Sequence, residues 1–188
     1  MTYKEHRQKW NNCSACSLCE TRHHVVLYRG SLPCDVLFVG EAPGTSENDT
    51  GQPFTGPAGN LLNLIIARAL MSKKVSLGFT NLVACIPLGD DGKKVAEPSE
   101  ESVEACRERL TEIISLAKPK GIVLVGKLAE KYVPMATERL PTDKNTPKVQ
   151  WASITHPAAI LRAEKQNQGL LVQGCVVNIA DLISDLEL

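Results

Sequence analysis

The sequence has few aromatic residues, no excess of charge of either sign and no long apolar run. Its 188 residues include two tryptophans, three tyrosines and three phenylalanines, and 21 basic side chains balance 21 acidic ones. This balance excludes a basic field over the whole surface, so any binding to nucleic acid must use a local patch and a pocket. No apolar stretch approaches the roughly 20 residues that span a bilayer, and no signal-like segment follows the charged N-terminus. We therefore expect a cytoplasmic protein with no membrane partner.

Cysteine, in contrast, is plentiful, and four of the seven cysteines are spaced like metal ligands. Cys13 and Cys16 form a CxxC pair, and Cys85 and Cys106 follow far along the chain. Four such thiolates suit a [4Fe–4S] cluster, which tolerates irregular spacing, or a zinc ion, whose structural sites usually take two closely spaced pairs. The wide gap before Cys106 favours the cluster, with zinc as the alternative. Cys19 forms a second CxxC with Cys16, so spacing alone does not decide which pair binds.

Hydrophobic patterning predicts strands that alternate with helices. The predicted strands cover 34–40, 79–85, 121–126 and 149–155, and the predicted helices cover 3–11, 57–71, 99–117, 127–132 and 165–188, the last with a possible break near 169–174. Segments 41–56 and 134–148 are rich in glycine or proline and predict loops. This alternation implies a mostly parallel sheet that is covered on both faces. We therefore expect a single domain over residues 1–188, a three-layer α/β/α fold around a four-stranded sheet.

Polar residues that could form a site follow three of the predicted strands. They lie in segments 41–54, 81–85 and 156–162. Because ligands of open α/β sheets bind beyond the carboxyl ends of the strands, we expect these segments to meet at one rim. The sequence therefore predicts a single binding site there, and the glycines before the helix at Pro57 add free amides that suit an anion such as a backbone phosphate.

Several motifs at this rim resemble those of a known family. The run from Gly40 to Leu62 reads GEAPG-x6-G-x-PF-x-G-x-AG-x-LL, residues 80–87 read TN-x-V-x-C-x-P, and His156 is followed by Pro157. These motifs resemble the uracil-DNA glycosylase superfamily, most closely its family 4, the iron–sulfur branch, in the right order over nearly the whole chain. The resemblance implies that Cys13, Cys16, Cys85 and Cys106 hold a [4Fe–4S] cluster, which pins the N-terminal arm, with Cys19 left over.

The same resemblance implies a monofunctional DNA glycosylase that flips a base out of single- or double-stranded DNA and hydrolyses its N-glycosidic bond. The expected base is uracil, and the expected product is an abasic site. Glu41 takes the family's catalytic position, and His156 is placed to donate a hydrogen bond to the base as charge develops on it. The expected substrate-binding residues are Ala42, Gly44, Glu47, Phe54 and Asn81, and the expected DNA-binding residues are Gly56, Gly59 and Arg162.

Departures from the family pattern cluster around the base pocket, at Asn48, Thr55, Pro57 and Ala158-Ala159. They leave two other functions open. One is a glycosylase for a modified base, such as a hypermodified or glucosylated cytosine of phage DNA, and the other is a protein that binds flipped bases without hydrolysis. An iron–sulfur electron carrier is a fourth possibility, but it leaves the pocket motifs without a use. The Asn81 amide matches uracil in one orientation and cytosine in the other. A monomer is expected.

Overall fold

A five-stranded sheet forms the centre of the computed structural model, which describes residues 1–89, 91–138 and 149–188. The strands are β1 (Arg29–Gly30), β2 (Val36–Gly40), β3 (Leu77–Asn81), β4 (Gly121–Val125) and β5 (Gln150–Ile154). Their order across the sheet is β1-β3-β2-β4-β5. All neighbouring strands run parallel except β1, which pairs antiparallel with β3 at the edge. The predicted mostly parallel sheet is confirmed, with one more strand than the four expected.

Helices cover both faces of the sheet, as predicted. They are α1 (Tyr3–Trp10), a 3₁₀ turn (Ser17–Cys19), α2 (Thr45–Thr50), α3 (Pro57–Leu70), α4 (Glu100–Ala105), α5 (Arg107–Ala117), α6 (Lys127–Thr137), α7 (Pro157–Arg162) and α8 (Lys165–Asp185). α1, α5 and α6 pack on one face, and α3, α7 and α8 pack on the other. In the part of the chain that the structure describes, no helix has the length and apolar character needed to cross a membrane.

The central strand β2 shows why the sheet has a core on each side. Every residue from Val36 to Gly40 is buried. Leu37 and Val39 belong to the cluster under α1, α5 and α6, whereas Val36 and Phe38 belong to the opposite cluster. Successive strand side chains point to opposite faces, so an unbroken apolar run fits only a strand that is covered on both faces. This arrangement fixes the direction in which the strand ends project.

Two short helices lie in segments for which the sequence pattern predicts a loop or no regular element. α2 has six residues and begins after Gly44, and α7 begins directly after His156. Each is too short to show an apolar period, so hydrophobic patterning does not reveal it. The predicted helix 99–117 is divided at Cys106 into α4 and α5. These differences bear on the site, because they place predicted functional residues at helix ends. Gly44 precedes α2, His156 precedes α7, and Cys106 lies between α4 and α5.

The remaining differences concern element lengths. β3 ends at Asn81, and the chain bends through 82–85 instead of continuing as a strand. α6 extends to Thr137 through Pro134, and α8 is continuous through Gly169 and Gly174. The predicted irregular segment 134–148 falls mostly outside the described residues.

Candidate active site

A cavity of about 1300 Å³ opens where β2, β3 and β5 end, at the rim that the sequence predicts. Its lining includes most of the predicted site residues: Glu41, Ala42, Gly44, Glu47, Phe54, Asn81, His156 and Arg162. Glu41 directly follows β2, Asn81 is the last residue of β3, and His156 lies two residues beyond β5. The parallel register pairs Gly40 with Asn81, which places these strand ends side by side. The cavity is larger than the about 300–1,000 Å³ of common small-molecule sites, which leaves room for more than one nucleotide unit.

Glu41 and His156 both lie close to Gly126. Gly126 has φ +97°, a backbone conformation that disfavours any side chain. A Cβ atom at this position would overlap the Glu41 carboxylate and would lie 3.1 Å from the Cβ of His156. The close approach of the two predicted catalytic residues therefore depends on glycine at this position. The only sequence signal for Gly126 is a weak one, its place at the end of an apolar strand.

The ring of His156 is held in one tautomer by its own helix. Its Nδ1 accepts a hydrogen bond from the backbone N–H of Ala158 (3.2 Å) and so caps the N-terminus of α7. In a neutral imidazole only one nitrogen carries the proton, so acceptance at Nδ1 leaves Nε2–H as the donor. Burial, helped by the nearby positive charge of Arg162, lowers the pKa of His156 to about 4. The ring is therefore neutral at pH 7 and can donate a hydrogen bond from Nε2.

The carboxyl group of Glu41 has an environment that opposes its charge. Burial raises the pKa of Glu41 above its ordinary value, and the negative charge of Glu97 adds to the effect. The backbone N–H of Leu128, in the first turn of α6, and the positive charge of Arg162 partly offset that rise in pKa. A half-buried carboxylate that is supported by a helix N-terminus is suited to positioning a water molecule or facing a developing positive charge.

Phe54 is locked in a strained loop against the end of β2. Its φ of 58° lies in the left-handed region, which is uncommon for an aromatic residue and frequent at functional sites. The ring packs edge-on against Phe79 at 6.0 Å between ring centroids and is 6% exposed. Arg29 contacts both the neighbouring ring and the loop. Its guanidinium lies 4.1 Å from the Phe79 ring centroid, and its Nε donates to the carbonyl of Pro53 (3.0 Å). Phe54 is thus more buried than the sequence suggests, yet it still lines the cavity.

Gly40 lets Phe54 and Asn81 come together. A Cβ atom on Gly40 would overlap the side-chain oxygen of Asn81 and would lie 2.6 Å from the tip of the Phe54 ring. Within the described residues, no hydrogen bond uses the side-chain amide of Asn81, so its donor and acceptor are available to a ligand. The geometry thus brings a ring face and an amide edge to one end of the cavity.

Glu47 organises the loop around the cavity. Its carboxylate accepts hydrogen bonds from the backbone N–H groups of Gly44 (3.1 Å), Thr55 (2.9 Å) and Gly56 (2.8 Å). Because both carboxylate oxygens are engaged in this way, the contacts of Glu47 maintain the loop even though the residue also lines the cavity. Its predicted contact with the base stays a prediction.

Gly56 and Gly59 lie at the start of α3, and their predicted DNA-binding role stays a prediction. Neither residue lines the cavity, and the N–H of Gly56 is already engaged by Glu47. A Cβ atom on Gly59 would overlap the backbone of Phe54, so this glycine allows α3 to pack against the loop. The Glu47 carboxylate thus engages one backbone N–H at the start of α3. Arg162 is exposed at the cavity, and its predicted contact with DNA stays a prediction.

The four predicted metal ligands line a second, smaller cavity. Cys13, Cys16, Cys85 and Cys106 converge there from the N-terminal arm, the bend after β3 and the break between α4 and α5. Cys19 instead lines a separate cleft. Across residues 1–89, 91–138 and 149–188, no three Cys, His, Asp or Glu side chains are grouped closely enough to hold a single metal ion. Four thiolates that each bind a different iron of a cluster lie farther apart than the ligands of one zinc ion.

Buried positive charge beside this cavity fits an anionic cluster. Arg109 lines the cavity and is only 1% exposed. No carboxylate pairs with it in the described parts of the chain, and its Nε has no hydrogen-bond partner there. Arg22 donates from Nη1 to the sulfur of Cys85 (3.6 Å). Since an isolated buried charge is costly, four thiolates carrying net negative charge would supply the missing counterpart. The donor set therefore fits a [4Fe–4S] cluster.

Comparison with known proteins gives the family. The Uracil DNA glycosylase superfamily profile matches residues 28–175. A type-4 uracil-DNA glycosylase of Pyrobaculum aerophilum is 33% identical over 163 residues, which cover 80% of each chain. The type-4 uracil-DNA glycosylase of Sulfurisphaera tokodaii is 34% identical, and the match covers 65% of this chain and 53% of that protein. The type-4 uracil-DNA glycosylase of Archaeoglobus fulgidus is 28% identical, and the match covers 80% of this chain and 78% of that protein. This chain belongs to the uracil DNA glycosylase superfamily and, within it, to the type-4 family.

Proposed function

We propose that this protein hydrolyses the N-glycosidic bond of uracil in DNA and leaves an abasic site. The observation that carries the proposal is the convergence around one cavity of Glu41, Asn81 and His156, from the ends of three strands, and of Phe54, from the loop before α3. The type-4 relatives are named uracil-DNA glycosylases, which supports the choice of base. The reaction adds water across the bond without a covalent enzyme intermediate, which agrees with a monofunctional glycosylase.

Base recognition is the first step. A base inside a duplex cannot enter the cavity, so it must rotate out of the stack. Phe54 then stacks on the base, a contact worth about 1–3 kcal/mol. The side-chain amide of Asn81 offers an acceptor for N3–H and a donor for O4 of uracil. Arg162, exposed at the cavity, is placed to contact the DNA that the base has left.

Cleavage of the C1′–N1 bond sends its electron pair into the uracil ring, where negative charge collects on N1 and O2. His156 donates a hydrogen bond from Nε2–H to O2 and stabilises this charge without first giving up a proton. A neutral donor suits this task, because a histidine with a pKa of about 4 remains uncharged over the working range of pH. The departing base leaves as an anion and takes a proton from water afterwards.

Glu41 acts on the sugar side of the same bond. The carboxylate faces the positive charge that develops at C1′, and it orients a water molecule that forms the new C1′–O bond. The proton that this water loses passes to the carboxylate or to solvent, and the sugar becomes the abasic product. Ala42 offers no second carboxylate, so Glu41 is the acid nearest to the bond.

We also propose that Cys13, Cys16, Cys85 and Cys106 hold a [4Fe–4S] cluster. When bound, the cluster supplies a covalent connection between separate parts of the chain. Through its four cysteine ligands it would join the N-terminal arm, the bend after β3 and the start of α5. The cluster site and the base cavity have different lining residues, so its role is structural.

A substrate panel tests the proposed activity. Uracil-containing DNA, single- and double-stranded, should give abasic sites that alkali cleaves, whereas matched DNA with thymine should not. The panel should also contain hypoxanthine, 5-modified cytosines and glucosylated cytosines. Cleavage of a modified cytosine in preference to uracil would replace the proposed substrate. Tight binding of a flipped base with no abasic product on any strand would indicate a binding protein instead.

The pH dependence of cleavage should separate Glu41 from His156. Because burial raises the pKa of Glu41 above its ordinary value, the carboxylate should lose its charge, as the pH falls, before His156 gains a proton near pH 4. Single-turnover rates should therefore decline on the acid side with the pKa of Glu41. In Glu41→Gln the remaining activity should persist to lower pH, towards about 4.

Circular dichroism at each pH provides the control that the protein is folded. An acid limb that is identical in the wild type and in Glu41→Gln would show that another group titrates.

A further inference from the structure

We propose that Arg109 is a positioning residue that fixes the base-reading Asn81 from the side of the cysteine cavity. This inference rests on the proposed glycosylase function, because it concerns how the base is read. Arg109 lies on α5, three residues after Cys106, and touches neither the base cavity nor the predicted catalytic residues. It links two sites that have no lining residue in common.

The guanidinium of Arg109 holds the backbone where β3 ends. One terminal nitrogen, Nη2, donates to the carbonyl of Asn81 (2.5 Å) and to the carbonyl of Leu82 (2.6 Å). The other, Nη1, donates to the hydroxyl oxygen of Thr80 (3.0 Å). Three consecutive residues are therefore held by one planar group, and the middle one is the residue that faces the base cavity.

These contacts replace the partners that a strand would normally supply. The chain leaves the sheet after Asn81, so carbonyls at this bend need other donors. A planar guanidinium can reach two carbonyls and a hydroxyl at once, which the single ammonium of lysine cannot do with the same geometry. Thr80 extends the connection, because its hydroxyl donates to the carbonyl of Leu27 (2.8 Å).

The side-chain amide of Asn81 depends on this backbone for its position. Among the described residues no hydrogen bond holds that amide, so the location of its Cα atom determines where the amide meets the base. A displacement of about 1 Å in a substrate-positioning group can cost about 10²-fold in rate. Arg109 therefore contributes to base recognition through Asn81 and without contact with the substrate.

The same side chain faces the cysteines. Arg109 lines the cysteine cavity, and its Nε, which no described residue binds, is the remaining donor of the group. Negative charge on thiolates in this cavity would hold the guanidinium in place. The cluster that we propose would thus orient Asn81 through a single arginine, which gives a structural cofactor an effect on base recognition.

A double-mutant cycle between Arg109 and Asn81 tests this inference. Arg109→Lys keeps a positive charge beside the cysteines but removes the planar fork, so iron content and visible absorbance should be retained. Single-turnover cleavage of uracil-containing DNA should fall about 10- to 100-fold in the otherwise wild-type protein. In the Asn81→Ala background, the same change should alter the rate by less than about threefold, because the two residues act as one unit.

Matched variants keep the test decisive. Arg107→Lys alters an arginine on the same helix that pairs with Glu104, and it should leave cleavage unchanged. If Arg109→Lys does not fold, Thr80→Val provides the second test, because it removes the hydroxyl that accepts from Nη1 of Arg109. Thr80→Val should slow cleavage in the otherwise wild-type protein and should have little effect in the Asn81→Ala background. Equal losses in both backgrounds, or unchanged cleavage with Arg109→Lys, would overturn the inference. A wild-type protein that cleaves no uracil would instead contradict the proposed function.

Discussion

Replacing His156 with alanine is expected to slow single-turnover cleavage of uracil-containing DNA about 10²–10³-fold, because a preorganised donor to a developing anion contributes about 2.7–4 kcal/mol. This loss should exceed the effect of removing the Phe54 ring, since stacking on one base contributes about 1–3 kcal/mol. The affinity for DNA should change little, because the hydrogen bond strengthens only as charge reaches O2. The measurement is the rate under single-turnover conditions with the enzyme in excess over labelled DNA.

His156 also caps the N-terminus of α7, so His156→Ala removes this cap as well as the hydrogen-bond donor. Asparagine is a good capping residue, so His156→Asn should keep α7 in place. Its shorter side chain cannot place an N–H donor where histidine has Nε2. We expect His156→Asn to be as slow as His156→Ala. His23→Ala, which changes an exposed histidine paired with Asp49, should cleave at the wild-type rate. Substantial activity in His156→Asn would mean that the helix cap, and not the donor, explains the alanine result.

The main features of the fold and the site follow from short-range sequence patterns. A continuous apolar run such as 36–40 fits only a strand covered on both faces, and strands of this kind end at a common rim. That reasoning, with the motifs, predicts the meeting of Glu41, Asn81 and His156, and the structure brings them together around one cavity. The family resemblance is also confirmed. The catalytic and binding roles of these residues stay predictions.

Features that depend on contacts between distant residues could not be predicted. The sequence shows glycines before α3 but not that Glu47 folds back onto Gly56 and accepts a hydrogen bond from its backbone N–H. Arg109 has the sequence environment of an ordinary helical arginine, and only the packing of α5 against the end of β3 shows that it is buried. The edge strand β1 is two residues long and carries no alternation that could reveal it.

The proposed cluster should contribute strongly to stability, and the substitution Cys85→Ser should reveal this. Loss of a ligand should remove iron and visible absorbance, and it should leave Arg109 buried without a negatively charged counterpart. Breaking a buried charge pair in this way costs about 3–5 kcal/mol, a large share of the about 5–15 kcal/mol that stabilises a typical domain. For a chain of this size we expect the midpoint of thermal unfolding to fall by about 6–20 °C. Metal analysis and calorimetry are the measurements.

Cys19 provides the matched control, because it belongs to the same N-terminal arm but lines a different cleft. Cys19→Ser should keep its iron and should unfold within about 2 °C of the wild type, as surface substitutions usually change stability by at most about 0.5 kcal/mol. Iron loss in Cys19→Ser but not in Cys13→Ser would assign the two N-terminal ligands to the other CxxC pair, Cys16 and Cys19. A purified protein that contains zinc and no visible chromophore would contradict the cluster, and the buried charge of Arg109 would then need only the thiolates of a zinc site.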